Sequence, residues 1–356
     1  MTYSRKNIAA MAGYVPGEQP QGRTFVKLNT NENPYPPSPK VGEALASFDV
    51  SRLRLYSEPS AARVRRAASE VLGLRPENYL IGNGSDDLLT IALRTFVDQG
   101  GVAAYTEPSY SLYPVLAELQ GAQRRPVALT ADFGLPGADE LLARLEGATL
   151  FLVANPNAPT GNLLSRETLR EVARRFSGVL WIDEAYADFS GQTCLDFVSE
   201  FPNVVVSRTL SKSYSLAGLR LGIACSSEAI IVEMNKVKDS YNVDMVAQAL
   251  AEAALRDQAY MRGNAARIVS TRRRVTERLR EMGCDVLPSE ANFIFVRPPS
   301  LVSAPAVFAA LRERGYLVRY FALPRIDDRL RVTMGTDAEM DGFLSAMSDI
   351  LAGVRS

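Results

Sequence analysis

Apolar runs of strand length recur along the chain, separated by stretches with a helical repeat. The runs Tyr79–Ile81, Val102–Tyr105, Leu150–Ala154, Val179–Ile182, Val204–Val206 and Leu221–Ala224 are nearly continuous in apolar character. That pattern predicts strands buried on both faces. Between the first two, Asp87–Val97 places Leu88, Leu89, Ala92 and Phe96 on one helical face. Strands alternating with helices predict an α/β fold built on a mainly parallel sheet. The pattern changes after residue 245. Long amphipathic helices are expected at Met245–Leu255 and Ala265–Met282, and strands at Asn292–Val296, Tyr316–Arg319 and Leu330–Met334. A helix near Ala306–Arg314 and a final helix to Val354 complete a smaller α+β unit. Residues 1–40 carry Pro16, Pro20, Pro34, Pro36, Pro37 and Pro39, which rule out a continuous helix or a central strand. This segment reads as an arm lying on other structure, with Asn29, Asn31, Glu32 and Asn33 as its polar knot. The expected division is an arm at 1–30, a large cofactor-binding domain at 31–245 and a small domain at 246–356.

Composition removes whole classes of function. Forty Lys and Arg balance forty Asp and Glu, and a neutral chain lacks the basic excess that a nucleic-acid surface needs. The arginine-rich stretches Arg63–Arg66 and Arg272–Arg274 lie on expected helices near Glu70, Glu277 and Glu281, as solvated faces do. No apolar run reaches membrane length, and the opening MTYSRKNIAA lacks the apolar core of a secretory signal, so a cytoplasmic location is expected. There is no histidine. Ser-His-Asp and Cys-His catalysis, histidine-ligated zinc and histidine proton shuttles are therefore excluded. Cys194, Cys225 and Cys284 are too scattered for a C-x-x-C metal or redox pair. Proton transfer is left to Lys, Tyr, Asp, Glu or Cys.

Ligands of open parallel sheets bind beyond the carboxyl ends of the strands, and here those ends are polar with unusual regularity. Ile81 leads into Gly82-Asn83-Gly84-Ser85-Asp86, and Tyr105 into Glu107-Pro108-Ser109-Tyr110. Ala154 leads into Asn155-Pro156-Asn157-Ala158-Pro159-Thr160-Gly161, Ile182 into Asp183-Glu184-Ala185-Tyr186, and Val206 into Ser207-Arg208-Thr209-Leu210-Ser211-Lys212. Each piece alone has an ordinary reading. Gly84-Ser85-Asp86 is an anion site at a helix start, or a plain turn with Asp86 as N-cap. Asp183 pairs a protonated heterocycle or closes a strand. Tyr110 stacks on a planar ligand or fills a core. Lys212 is a Schiff-base nucleophile with a depressed pKa or a surface lysine. Arg220 reaches the same anion or solvates a loop. Together they supply what pyridoxal phosphate requires: a phosphate cradle, a stacking ring, a carboxylate, a lysine and an arginine on one rim.

The motifs Tyr14-Val15-Pro16-Gly17, Leu28-Asn29-Thr30-Asn31-Glu32-Asn33-Pro34, Asp183-Glu184-Ala185-Tyr186, Thr209-Leu210-Ser211-Lys212, Ala217-Gly218-Leu219-Arg220, Ala291-Asn292-Phe293 and Arg331-Val332-Thr333-Met334-Gly335-Thr336 carry a resemblance over nearly the whole chain. The sequence resembles the fold-type-I (class I/II) pyridoxal-phosphate-dependent aminotransferases, and within them the histidinol-phosphate aminotransferase branch. The resemblance implies an aspartate aminotransferase-like fold with a seven-stranded sheet, and a homodimer. It implies that Lys212 carries the cofactor, Asp183 pairs the pyridine nitrogen, Tyr186 bonds the ring hydroxyl and Tyr110 stacks on the ring. Gly84, Ser85, Asp86, Thr209, Ser211 and Arg220 would hold the phosphate, with Tyr56 offered from the neighbouring subunit. Arg331 matches the substrate carboxylate clamp; Arg319, Tyr14, Asn31 and Tyr56 match groups around the substrate. The family's N-P-T-G asparagine is here Ala158, which leaves the ring hydroxyl to Tyr186 alone or to Asn157 acting indirectly. The spacing Tyr56-Ser57-Glu58 departs from the usual Tyr-Pro.

The implied activity is amino transfer from histidinol phosphate to 2-oxoglutarate, giving imidazole acetol phosphate and glutamate in histidine biosynthesis. Competing readings are an aromatic amino acid aminotransferase and a phosphothreonine-type decarboxylase of the same fold. A nucleotide-binding module built on Gly82–Gly84 is a reading from another class. It lacks the G-x-G-x-x-G that opens a dinucleotide-binding helix.

Overall fold

The computed structural model describes residues 3–19 and 24–353. Its large sheet has seven strands: β1 (Tyr79–Gly82), β2 (Val102–Glu107), β3 (Gln123–Ala128), β4 (Ala148–Ala154), β5 (Val179–Asp183), β6 (Val204–Thr209) and β7 (Gly222–Ser226). Their order across the sheet is β1-β7-β6-β5-β4-β2-β3. Only β7 runs antiparallel to its neighbours. The other adjacent pairs are parallel, so β2, β4, β5 and β6 deliver their carboxyl ends to one rim.

The continuous apolar runs have a direct cause. Phe151, Val153, Leu180, Ile182, Val204 and Val206 belong to the core on one face of the sheet. Leu150, Leu152, Trp181 and Val205, the alternate residues, belong to the core on the other face. Both sets leave water, so no polar alternation survives.

The unpredicted strand is β3, whose sequence Gln-Arg-Arg-Pro-Val-Ala buries only Val127. It is an edge strand, where exposed arginines and Pro126 are tolerated because no further neighbour needs the missing N–H.

A second sheet, β10-β11-β9-β8, comprises β8 (Asp285–Val286), β9 (Phe293–Arg297), β10 (Arg319–Tyr320) and β11 (Leu330–Thr333), all antiparallel. Helices Gln258–Glu281, Ala304–Glu313 and Asp337–Gly353 close its core, which includes Ile268, Leu279, Ile294, Val332 and Phe343. The expected strand Tyr316–Arg319 divides in two. Tyr316–Leu317 pairs in parallel with Val26–Lys27 of the arm, and past Val318 the chain switches partners, pairing Arg319 with Arg331. The helix expected from Ala265 begins at Gln258; Gln258, Arg262, Gly263 and Asn264 interrupt the apolar period over its first turns and conceal the start. Helix Met245–Arg256, placed by sequence with the small unit, buries Ala247, Leu250, Ala251, Ala254 and Leu255 in the core of the large sheet.

The arm is less irregular than its prolines imply. It carries a short helix at Lys6–Ala10 and the strand Val26–Lys27. Pro39 opens the helix Pro39–Ala46 rather than blocking it, since a first-turn proline gives up an N–H that has no helical partner anyway. Pro20 and Val354 lie outside the described residues. Among the described residues no helix is long and apolar enough to cross a membrane.

Candidate active site

A cleft opens where the carboxyl ends of the parallel strands meet the arm and the small sheet. Asp183 is the last residue of β5 and lies 5% exposed. Its carboxylate accepts hydrogen bonds from Tyr113 Oη (3.2 Å) and Ser207 Oγ (3.1 Å), and Ser207 Oγ in turn accepts from Trp181 Nε1 (3.0 Å). Burial pushes its pKa up to about 6; the Ser207 and Tyr113 hydroxyls pull it down, and the nearby Asp86 carboxylate adds to the rise. Among the described ion pairs none involves Asp183. A buried carboxylate without a cation is arranged for a positively charged group that arrives from outside the chain.

Lys212 follows β6, between Ser211 and Ser213, and its Nζ donates to the Thr30 carbonyl at 3.3 Å. Burial first, then the Arg331 and Arg220 cations, bring its pKa down to about 8 against the pull of Glu32 and Asp86. Roughly one in ten such amines is neutral at pH 7, against about one in three thousand for an ordinary lysine. The neutral form is the nucleophile.

An anion cup lies at the start of helix Ser85–Phe96, whose N-cap Gly84 (φ 88°) supplies no side-chain cap to the first-turn amides. Such amides and the helix dipole favour an anion. Two glycines suit this turn, Gly84 through its left-handed φ of 88° and Gly222 through close backbone approach. A Cβ on Gly84 would meet Arg220 Nη2 at 2.6 Å, and one on Gly222 would meet the Gly84 and Ser85 backbone at 2.7 Å. Arg220 closes the cup, donating to Asp86 Oδ2 at 3.1 Å. Asp86 Oδ1 accepts from the Tyr110 hydroxyl at 3.1 Å, and Thr209 and Ser211 hydroxyls bond each other at 3.0 Å beside it. Tyr110 forms the wall between cup and mouth, and Tyr14 meets it edge-on with centroids 6.2 Å apart.

Opposite, Tyr186 accepts a hydrogen bond from Asn31 Nδ2 at 2.8 Å and packs edge-on against Phe293. Arg331 lies under the arm, donating from Nη2 to the Asn29 carbonyl (2.8 Å) and flanked by Phe293 and Phe321, while its buried Nε has no partner. Burial and the neighbouring Arg319 lower its pKa, opposed by Tyr186. An anion in the cleft would complete this arginine.

The structure thus brings Tyr14, Asn31, Ser85, Asp86, Tyr110, Asp183, Tyr186, Thr209, Ser211, Lys212, Arg220, Arg319 and Arg331 to one cleft, with Gly84 behind Arg220. Asn157 is not there, and Tyr56, expected to serve the neighbouring subunit, is not in this chain's own cleft. Asn157 is fully buried behind the cleft wall, donating to Pro108 O and Thr160 Oγ1 and accepting from Ser109 Oγ, so it does not reach a ring hydroxyl. Tyr56 is 81% exposed and stacks on Tyr241, away from this chain's own cleft. Arg319 is partly committed elsewhere: its Nη1 and Nη2 donate to the Pro16 and Val15 carbonyls, strapping the arm. Sequence reasoning missed Tyr113 and Ser207. Ser207 had a signal, since it ends an apolar run in register with Asp183.

The donor set suits pyridoxal phosphate: an uncapped helix start with an arginine for its phosphate, a cation-free buried carboxylate for its pyridinium and a lysine of lowered pKa for its aldehyde. The comparisons agree. The chain matches the family described as aminotransferase class I and II over residues 23–347, and it belongs to that family. It is a pyridoxal-phosphate-dependent aminotransferase. Within the family it is similar to histidinol-phosphate aminotransferases: 45% identical to that of Synechocystis sp. over 98% of this chain and 99% of the relative. The enzyme of Geotalea uraniireducens is 46% identical over 97% of this chain and 99% of the relative. In three dimensions it superposes on Sinorhizobium meliloti histidinol-phosphate aminotransferase in complex with pyridoxal 5'-phosphate, with TM-score 0.90 at 25% identity, covering 99% and 98% of the two chains.

Proposed function

We propose that this chain transfers the amino group of histidinol phosphate to 2-oxoglutarate, giving imidazole acetol phosphate and glutamate. The observation that carries the reading is the opposition of a lysine of lowered pKa and a buried, cation-free aspartate on one rim. Bound pyridoxal phosphate supplies an electron sink for the pair left behind when the substrate loses its Cα proton. The chain's residues do the rest. Ser85, Asp86 and Gly84 through their backbone, with Thr209, Ser211 and Arg220, hold the phosphate. Asp183, kept in place by Tyr113 and Ser207, holds a proton on the ring nitrogen. Tyr186 donates toward the ring oxygen, and Tyr110 covers the ring. Lys212, once its amine is released, would take the Cα proton and deliver it to the cofactor's aldehyde carbon on the far side of the nitrogen, the task a histidine-free site must give to another base.

The substrate reading has its own support. Arg319 and Arg331 are register partners on adjacent antiparallel strands, and both line the cleft. Like charges placed directly opposite are unfavourable unless an anion bridges them. A phosphate dianion, or the carboxylate of 2-oxoglutarate in the second half-reaction, meets that need better than an apolar ring; Tyr14 at the mouth offers a further hydroxyl. A phosphorylated donor does not cross membranes unaided, so donor and enzyme must share a compartment, which this reading takes to be the cytoplasm.

With the boundary between large and small domains set after helix Met245–Arg256, which packs in the large-sheet core, rather than at 245, the same reading includes a homodimer in which Tyr56 reaches the partner's cofactor phosphate. Its support is a run of exposed large apolar residues, Val50, Leu53, Leu55 and Tyr56, unusual for a surface without a partner. The test is kcat/KM for histidinol phosphate, phenylalanine and phosphothreonine with 2-oxoglutarate as acceptor. Histidinol phosphate is expected to lead. A higher value for phenylalanine reassigns the chain to aromatic substrates, and carbon dioxide release from phosphothreonine reassigns it to the lyases.

A further inference from the structure

We infer that Asn31 is a positioning residue, whose amide turns the Tyr186 hydroxyl into a donor aimed at the cofactor and so supplies the polarisation that Ala158 cannot. The inference rests on the cofactor reading above and reassigns Asn31, expected from the sequence to touch substrate.

The first ground is a hydrogen-bond chain with only one consistent direction. Asn31 N–H donates to Thr333 Oγ1 (3.0 Å), and Thr333 Oγ1 lies 3.0 Å from Asn31 Oδ1. Thr333 is buried, and among the described residues its hydroxyl has no other acceptor. Its proton therefore goes to Asn31 Oδ1; the flipped amide would leave that proton orphaned in the interior. Nδ2 must then face Tyr186, whose oxygen it reaches at 2.8 Å. An amide nitrogen donates and never accepts. The phenol oxygen is thus occupied as an acceptor, and its own proton is left to point into the cleft.

The second ground is how firmly Asn31 is held. Its backbone is left-handed (φ 56°), a region asparagine tolerates better than most residues. Its N–H is tied to Thr333 and its carbonyl accepts from Asn292 Nδ2 at 3.0 Å. Arm, small sheet and Tyr186 meet at this one side chain.

The third ground is the wall beside Tyr186. Ala158 packs there with Ala291 and Phe293 and offers only a methyl group, while Asn157 is turned away into Pro108 and Thr160. Tyr186 is the hydroxyl left on that side, so the direction of its proton matters more than it would with a second donor.

A donor to the cofactor's ring oxygen withdraws charge that would otherwise hold the proton on the Lys212 nitrogen. Weakening the donor makes that proton harder to remove. The groups facing Tyr186 are Arg331, Asp183 and Tyr14, and those facing Lys212 are Arg331, Glu32, Asp86 and Arg220. An Asn31 substitution changes none of them.

The test follows the pH midpoint of the visible absorbance of the holoenzyme, together with its cofactor content. Asn31→Gly removes the amide and suits the left-handed backbone. It should raise the midpoint by about one pH unit, the tenfold change expected for one lost hydrogen bond. Asn31→Ala, uncharged and likewise unable to donate, should raise it as far and serves if the glycine variant does not fold. In a Tyr186→Phe background, Asn31→Gly should add no further shift, which a purely structural role would not reproduce. An unchanged midpoint in a folded, cofactor-loaded Asn31 variant overturns the inference, as does an equal shift with and without the phenol. Failure of the wild-type protein to take up pyridoxal phosphate reducible onto Lys212 overturns the site reading itself, and this inference with it.

Discussion

Replacing Asp183 with asparagine should make the cofactor-free protein more stable while disabling the enzyme. The carboxyl has a pKa of about 6 in the fold against an ordinary 3.8. The folded state therefore holds this proton more tightly than the unfolded chain does. The stability this contributes is complete below pH 4 and is lost as the pH rises through 6. The gap corresponds to about 3 kcal/mol, and the side chain is too buried for solvent to screen it away. Asparagine does not titrate. Its Oδ1 keeps one of the two donors from Tyr113 and Ser207, but its amide end faces the other, a loss of about 1–2 kcal/mol. Cofactor-free Asp183→Asn should then be about 1–2 kcal/mol more stable than wild type at pH 7.5 and less stable near pH 4. Urea unfolding at a series of pH values and one fixed protein concentration measures this directly. The informative quantity is the change in the difference between the two proteins, about 3 kcal/mol across the window, because the hydrogen-bond loss cancels from it. A difference that stays flat from pH 4 to 8 would refute the reasoning. Adding pyridoxal phosphate should reverse the order, since only the carboxylate gains a pyridinium partner.

Borohydride treatment of the holoenzyme should fix the cofactor mass on the peptide containing Lys212, and Lys212→Ala should lose turnover by at least about 10²–10⁴-fold while still binding some cofactor; label on Lys236 or Lys238 would discard the assignment. Ala158→Asn, set beside Tyr186, should lower the pH midpoint of the visible absorbance by up to about one unit through a second donor to the ring oxygen, and an unmoved titration would show that no vacancy exists there. Arg331→Lys, which cannot present the unpartnered Nε, should raise KM for 2-oxoglutarate far more than it changes cofactor affinity, and equal effects on both would remove Arg331 from the substrate side. Tyr56→Phe should weaken cofactor binding in the dimer, and mixed dimers with Lys212→Ala should show which subunit's cleft is affected; loss confined to the mutated subunit's own cleft would contradict a role across the interface.

Much of this architecture was legible because its strands are buried on both faces. Leu150–Ala154 and Val204–Val206 announce themselves as unbroken apolar runs since consecutive side chains enter different cores. The same physics hid β3, which stands at the edge, keeps its arginines in water and carries a proline. Strand ends were informative because polar residues there interrupt buried runs, which is how Asp183 and the Ser211-Lys212 pair stand out. Directions were not legible. Asn157 sits one position before Ala158, yet its amide turns inward to the Pro108 carbonyl and Thr160 hydroxyl. Nor does spacing reveal that Arg319 straps the arm, because that depends on where residues 15 and 16 lie in space. Tyr113 looks like any core tyrosine until Asp183 is seen against its hydroxyl.

The stitching of the arm to the last strands has a consequence for biosynthesis. Asn29 meets Arg331, and Asn31 meets Thr333, across 302 residues of chain in each case. A ribosome adding about 5–20 residues per second leaves roughly 15–60 s between the emergence of the two halves of this contact. The large sheet, complete by Ser226, can condense during that interval, while the cleft above it stays without its arginine clamp and without the Thr333 hydroxyl that fixes the Asn31 amide against Tyr186. A nascent chain stalled between the completion of the large sheet at Ser226 and residue 333 would therefore hold a folded sheet and yet be catalytically blank, and the onset of activity would date the last step of its assembly.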